Sequence, residues 1–260
     1  MSEALKPIEK IQSAITIDVR EQLSNVLQDN AGAFIASMID LYASDNYLQQ
    51  CDPQAVIAEC MKAASLKLPI NKQLGFAYVV PYKKIPQFQM GYKGYIQLAL
   101  RSGQYKHINA DCVYEGEKIV TNRLTGEIKL EGEMKSDKPI GYFAYMELVN
   151  GFSRAVYMTK EEVVEHAKRY SPSYGNPRST WSTNFDEMAI KTAIRQLLTK
   201  YGIMSVEMAR AYEYDLADEE KVEVEIEGKA NREVLDAEFT VKDESKVEPK
   251  AQAAKRGPDF

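Results

Sequence analysis

Acidic residues are missing from long stretches of a chain whose net charge is −5. Not one Asp or Glu falls between Cys60 and Ala110, where Lys62, Lys67, Lys72, Lys83, Lys84, Lys93, Arg101 and Lys106 all lie. Two further acid-free stretches run from His166 to Phe185, with Lys168, Arg169 and Arg178, and from Met188 to Val206, with Lys191, Arg195 and Lys200. Residues 213–260, by contrast, hold 15 acids against 8 bases, which leaves residues 1–212 with 23 acids and 25 bases. A solvated face normally mixes both signs, and local field rather than net charge attracts a polyanion. The negative total therefore does not exclude a nucleic-acid partner.

Other absences narrow the class. The three cysteines, Cys51, Cys60 and Cys112, are an odd number with no CxxC pair. They argue against a disulfide framework or a zinc site and fit a reducing, cytoplasmic compartment. The two histidines, His107 and His166, stand apart, which argues against metal hydrolysis and against a Ser/His/Asp set. No GxxxxGK[ST] sequence exists, so a P-loop ATPase is not expected. No apolar run approaches the roughly 18 residues of a membrane span, and Met1–Lys10 lacks the pattern of a secretory signal. Glu133-Met134-Lys135 has the ExK spacing of one nuclease class, a match expected by chance, and the partner acid of a preceding strand is missing.

The first quarter reads as helical. Thr16 or Asp18 caps a helix with Leu23, Val26 and Leu27, and Phe34, Met38, Leu41 and Tyr42 recur at helical spacing. Asp52-Pro53 starts a third helix with Val56, Ile57, Cys60, Met61 and Ala64. The middle reads as antiparallel strands. Gly75–Tyr82 and Gln87–Tyr92 form an aromatic hairpin, a short helix over Lys93–Ser102 follows, and strands resume at Tyr105–Tyr114, around Thr125-Gly126 and at Ile140–Val149. Asn150-Gly151 turns that last strand into Phe152–Met158. Thr159-Lys160-Glu161-Glu162 is a capping box. The polar loop Tyr170–Thr180 leads to a long helix over Thr183–Tyr201, and one more helix runs through Tyr212. Beyond it apolar content falls, and an acidic, disordered tail is expected.

Two constellations are candidates for nucleic-acid contact. On the hairpin, Tyr82, Phe88 and Tyr92 offer aromatic faces, with Gln89 as a hydrogen-bonding group and Lys83 and Lys84 at the turn. Lys93, Gln97 and Arg101 recur every four residues on the next helix and form one polar stripe. Gly91 and Gly94 at its start would let backbone amides approach a phosphate. Lys67 and Lys72 extend the basic track. The bland alternative is that the aromatics are core and the bases a solvated face. The second constellation is Arg178, Thr180 and Trp181 with Lys191, Thr192 and Arg195 on one face of the long helix. Here the alternatives are an ion pair from Glu187 to Lys191 and, for Trp181, simple burial.

The run GFAYVVPYKKIPQFQMGYKGYIQLALRSG, residues 75–103, resembles the signature of the RecT/Redβ family of phage single-strand annealing proteins, and WSTNFDEMAIKTAIRQLL, residues 181–198, is similar to that family's conserved helix. The resemblance spans about Met1–Tyr212 and is strongest to the RecT branch encoded by prophages. It implies an α+β fold with a central curved antiparallel sheet and hairpins packed with helices around a DNA groove. Residues 1–212 would be the annealing core, with helical residues 1–68 serving oligomerisation, and 213–260 a tail for docking partners. It also implies ATP-independent binding of single-stranded DNA and annealing of complementary strands in homologous recombination, as a ring or helical filament and not as an enzyme. Lys83, Lys84, Gln89, Lys93, Arg101, Lys191, Arg195 and Trp181 would be groove residues. The expected partners are single-stranded DNA, the annealed duplex intermediate, further copies of the chain, a phage 5′–3′ exonuclease and the host single-strand binding protein, with no membrane. No cofactor is required, and magnesium is left open. A passive single-stranded DNA-binding protein and, further off, a metal-dependent nuclease using the acids of Asp111–Glu165 are the alternatives.

Overall fold

In the computed structural model, which describes residues 6–82, 84–171, 173–177 and 179–215, four helices open the chain: α1 (Pro7–Ala14), α2 (Ile17–Leu27), α3 (Ala31–Ser44) and α4 (Pro53–Ser65). Local chemistry sets their starts. Thr16 Oγ1 accepts from the Val19 amide, and Asp52 Oδ2 accepts from the Ala55 amide with Pro53 in the first turn. Ile11, Leu23, Phe34, Met38, Tyr42, Val56, Ile57 and Cys60 bury one face of each helix in a shared core, at about 1.5–3 kcal/mol for each large side chain. All three cysteines are free and buried, and burial pushes the Cys60 thiol up to about 12.

Among the described residues seven strands form three separate antiparallel sheets. Strands β1 (Ala77–Tyr82) and β2 (Ile85–Met90) make a hairpin in which Tyr82 pairs with Ile85. Ile85 and Pro86 thus belong to the strand and not to the turn expected from sequence. Helix α5 (Tyr92–Arg101) follows, then β3 (Tyr105–Tyr114), and then β4 (Glu117–Asn122) paired with β5 (Glu127–Gly132). Strands β6 (Pro139–Leu148) and β7 (Ser153–Thr159) complete a three-stranded sheet in the order β3-β6-β7. Gly151, at φ +85°, turns β6 into β7.

Helix α6 (Lys160–Tyr170) opens on the expected capping box: Thr159 Oγ1 accepts from the Glu162 amide, and the Glu162 carboxylate accepts from the Thr159 amide. A four-residue helix, α7 (Thr180–Thr183), leads into α8 (Phe185–Tyr201), and a last helix, α9, covers 206–215. Helix α8 lies across the three-stranded sheet, mainly on β6. Its Ala189, Ile190, Ala193, Ile194, Leu197 and Leu198 meet the face of β6 that carries Tyr142, Ala144, Met146 and Leu148. At its start Tyr142 donates to Asp186 over 2.5 Å. The fold is α+β. Among the described residues no helix is long and apolar enough to cross a membrane.

Candidate nucleic-acid interface

The β1–β2 hairpin has two chemically distinct faces, because alternate residues of a strand point opposite ways. Ala77 and Val79, with their neighbours Met90 and Phe88, are buried at 1% exposure or less. The other face carries Tyr78, Val80, Tyr82 and Gln89, and it looks onto α8 across two adjoining cavities. The larger, about 500 Å³, is bounded by the hairpin, by α6 and the loop after it, and by α8. The smaller, about 320 Å³, lies toward the start of α5. Gln89, Thr180, Met188 and Lys191 line both, so the cavities form one groove.

Of the residues singled out in sequence, Tyr82, Gln89, Thr180, Trp181, Lys191, Thr192 and Arg195 line the larger cavity, and Lys72 and Tyr92 line the smaller. Gln89 Nε2 donates to the Tyr82 hydroxyl over 2.7 Å. Lys191 and Arg195 project together into the groove, as their four-residue spacing requires. Thr192 is nearly buried and spends its hydroxyl on the Met188 carbonyl. Lys72 pairs with Asp45 over 2.6 Å, and its side chain stays 48% exposed.

Other residues singled out in sequence lie outside this groove or are buried in its wall. The Lys93, Gln97 and Arg101 stripe exists on α5 but lines neither cavity. Arg101 instead donates through both terminal nitrogens to the carbonyls of Leu66 and Lys67, 2.8 Å each, which caps the end of α4. Lys93 stays exposed, its ammonium 5.8 Å from the centre of the Tyr92 ring. Lys67 and Lys84 are exposed elsewhere. Phe88 borders the larger cavity but is fully buried, edge-on to Tyr214, which leaves no ring face for a base. Trp181 is 6% exposed and held T-shaped between Tyr174 and Phe185, so it braces the wall and offers no open platform. Gly91 and Gly94 serve packing: a β-carbon on either would stand 2.1 Å from the Gly75 carbonyl oxygen or 2.2 Å from that of Phe76. Lys83 and Arg178 lie outside the described residues.

The groove also contains residues that no sequence motif singled out. His166, Tyr170, Ser171 and Ser173 come from α6 and its following loop, and Gln196, Thr199 and Lys200 from the end of α8. Continuing the four-residue spacing of Lys191 and Arg195 one more turn finds Thr199; nothing local marks the α6 residues. Tyr170 is 51% exposed and stacks obliquely on His166 at 4.7 Å.

Among the described residues four cations line the groove, Lys72, Lys191, Arg195 and Lys200, against two carboxylates, Glu187 and Asp215. The ion pair considered between Glu187 and Lys191 is replaced by one from Lys191 to Asp215, 3.1 Å. Asp215 is buried at the end of α9, past the expected core limit at Tyr212. Burial first, and the Glu187 charge second, raise the hydroxyls of Tyr78 and Tyr92 above the ordinary phenol range. Both therefore remain neutral hydrogen-bond donors. Among the described residues no group of three His, Cys, Asp or Glu side chains stands close enough to hold a metal ion. Glu133 and Lys135 are exposed beyond β5.

A model of the RecT family matches residues 32–228, a span that contains every groove residue named above. Over 236 residues the chain is 45% identical to the uncharacterized protein YqaK of Bacillus subtilis (strain 168), covering 90% of this chain and 81% of that one. Over 209 residues it is 33% identical to protein RecT of Escherichia coli (strain K12), covering 76% of this chain and 74% of the relative. The chain belongs to the RecT family.

Proposed function

We propose that the chain binds single-stranded DNA in the groove between the β1–β2 hairpin and α8 and anneals complementary strands without nucleotide hydrolysis, as a homo-oligomer in phage recombination. Family membership supports the class of activity. The observation that carries the site is the groove lining, which sets Arg195 and Lys200 beside neutral hydrogen-bonding groups and the exposed Tyr170 ring.

This mixture suits a sugar-phosphate chain of any sequence. Cations neutralise phosphates and release counterions, while Gln89, Thr180 and Gln196 supply hydrogen bonds that fix register. An aromatic face supports a base at about 1–3 kcal/mol whatever its identity. Selectivity then falls to Watson–Crick pairing with the incoming strand, whose stacking, about 1.4 kcal/mol per step, drives the reaction forward. Few cations per subunit give a weak grip, and contacts repeated along one strand by neighbouring copies add up. A phage 5′–3′ exonuclease and the host single-strand binding protein are the expected partners in this step.

The test is annealing of two complementary labelled oligonucleotides in the absence of nucleotide, with the full chain added to one strand first. Acceleration over the spontaneous rate is expected. Slowed annealing would instead mark a passive coat, and shortened strands in the presence of magnesium or manganese would mark a nuclease; either result overturns the reading.

A further inference from the structure

Lys191 is, among the described residues, the one cation that lines both cavities, and its charge is already answered from within the protein. The ammonium lies 3.1 Å from Asp215 Oδ2 and 3.4 Å from Oδ1, with 15% of the lysine side chain and 4% of the aspartate side chain exposed. The same carboxylate accepts the Met90 amide on Oδ1 over 3.2 Å and the Tyr95 hydroxyl on Oδ2 over 2.5 Å. Tyr95 is fully buried and stacked on Tyr212. One side chain on α9 therefore gathers donors from β2, α5 and α8. A carboxylate this buried persists only when it is paired and hydrogen-bonded, so the cluster holds together as a unit.

Two consequences follow for the groove. Met90 belongs to one wall and Lys191 to the other, so Asp215 fixes the distance between the hairpin and α8. A phosphate approaching Lys191 also meets an ammonium whose field is largely cancelled by a neighbour of the phosphate's own sign. Its attraction is that of an ion pair, which falls off far faster than that of a single charge.

We propose that Asp215 is a positioning residue for DNA binding: it clamps the Lys191 ammonium at the groove floor and withholds that charge from phosphates. The proposal rests on the reading of the groove as the single-stranded DNA site. The clamp keeps the grip weak at the centre of the groove, where a strand must stay exchangeable while a complement is sampled.

The test compares full-length wild type, Asp215→Asn, Asp215→Glu and the double variant Asp215→Asn with Lys191→Gln on fluorescent oligo(dT) across a salt series, with circular dichroism as the check on folding. Releasing Lys191 in Asp215→Asn should steepen the slope of log K against log salt by about 0.7, a further factor of about five in affinity for each tenfold drop in salt. Asp215→Glu should keep the wild-type slope, and the double variant should return to it. A purely structural Asp215 would instead weaken binding at every salt concentration without steepening, and that result overturns the proposal. If Asp215→Asn does not fold, the double variant decides, since it replaces both charges by neutral amides. A slope equal to wild type supports the clamp, and a fall of about 0.7 shows that Lys191 gives its charge to phosphate and overturns it. Failure of wild type to bind oligo(dT) at any salt would remove the groove reading itself, and the clamp with it.

Discussion

The guanidinium of Arg101 grips the carbonyls of Leu66 and Lys67 at 2.8 Å each, where α4 ends and Lys67 takes a left-handed φ of +53°. Charge-assisted hydrogen bonds of this kind contribute about 1.5–3 kcal/mol, so Arg101→Ala should lower the unfolding free energy by about 2 kcal/mol in urea. Because the side chain lines neither cavity, the salt slope of oligonucleotide binding should stay at the wild-type value.

Arg195→Ala should move that slope. Arg195 lines the larger cavity from the middle of α8, and loss of one phosphate contact should flatten the salt slope by about 0.7 on single strands. Binding titrations at several salt concentrations, beside an equilibrium unfolding curve, separate the two arginines.

Tyr170→Ala should weaken binding to every homopolymer alike, by about 1 kcal/mol or a little more, since an exposed ring supports bases without reading them. Oligo(dT) and oligo(dA) affinities measured side by side provide the check, and a loss confined to one of them would point to base-specific contact instead.

Gly91→Ala should be among the most damaging single changes in the chain. The added carbon would stand 2.1 Å from the Gly75 carbonyl oxygen, a backbone atom that cannot swing aside. Overpacking costs about 1–3 kcal/mol where side chains can adjust, and a clash with backbone should reach the top of that range or exceed it. Chemical denaturation, or loss of soluble protein, reads the outcome.

Asp45 gives the acid limb of stability. Burial alone would lift its carboxyl, but hydrogen bonds from Lys72 and from the Leu48 and Tyr47 amides outweigh that and hold it below the ordinary carboxylate range. Its stabilisation is therefore complete above the unfolded-state value of about 3.9 and is lost as pH falls through the lower folded-state value. Asp45→Asn should lower the melting temperature at neutral pH and reduce its further fall below about pH 4, as thermal melts across that range would show.

Local chemistry made much of the fold legible. Asp52-Pro53, the Thr159–Glu162 box and Asn150-Gly151 each fix an element through neighbours a few residues away, and each stands where the pattern puts it. Helix α1 escaped because it is eight residues long and buries Ile11 alone. The groove was half legible for a related reason. Spacing on one helix places Lys191 and Arg195 together, but the partner of Arg101 is 35 residues away and Asp215 reaches Met90 across 125. Helical periodicity shows that Lys93, Gln97 and Arg101 share a face, and it is silent on which neighbour that face meets. The aromatic alternation of the hairpin likewise revealed two faces without saying which one the core would claim.

Trp181 is the chain's one tryptophan, and it is wedged in the groove wall between Tyr174 and Phe185. The molecule thus carries a native optical gauge beside its own binding channel. Ultraviolet-excited emission comes from one indole, free of the blending that several would introduce, so a change in its intensity or colour on mixing with an unlabelled oligonucleotide follows occupancy of that channel in real time.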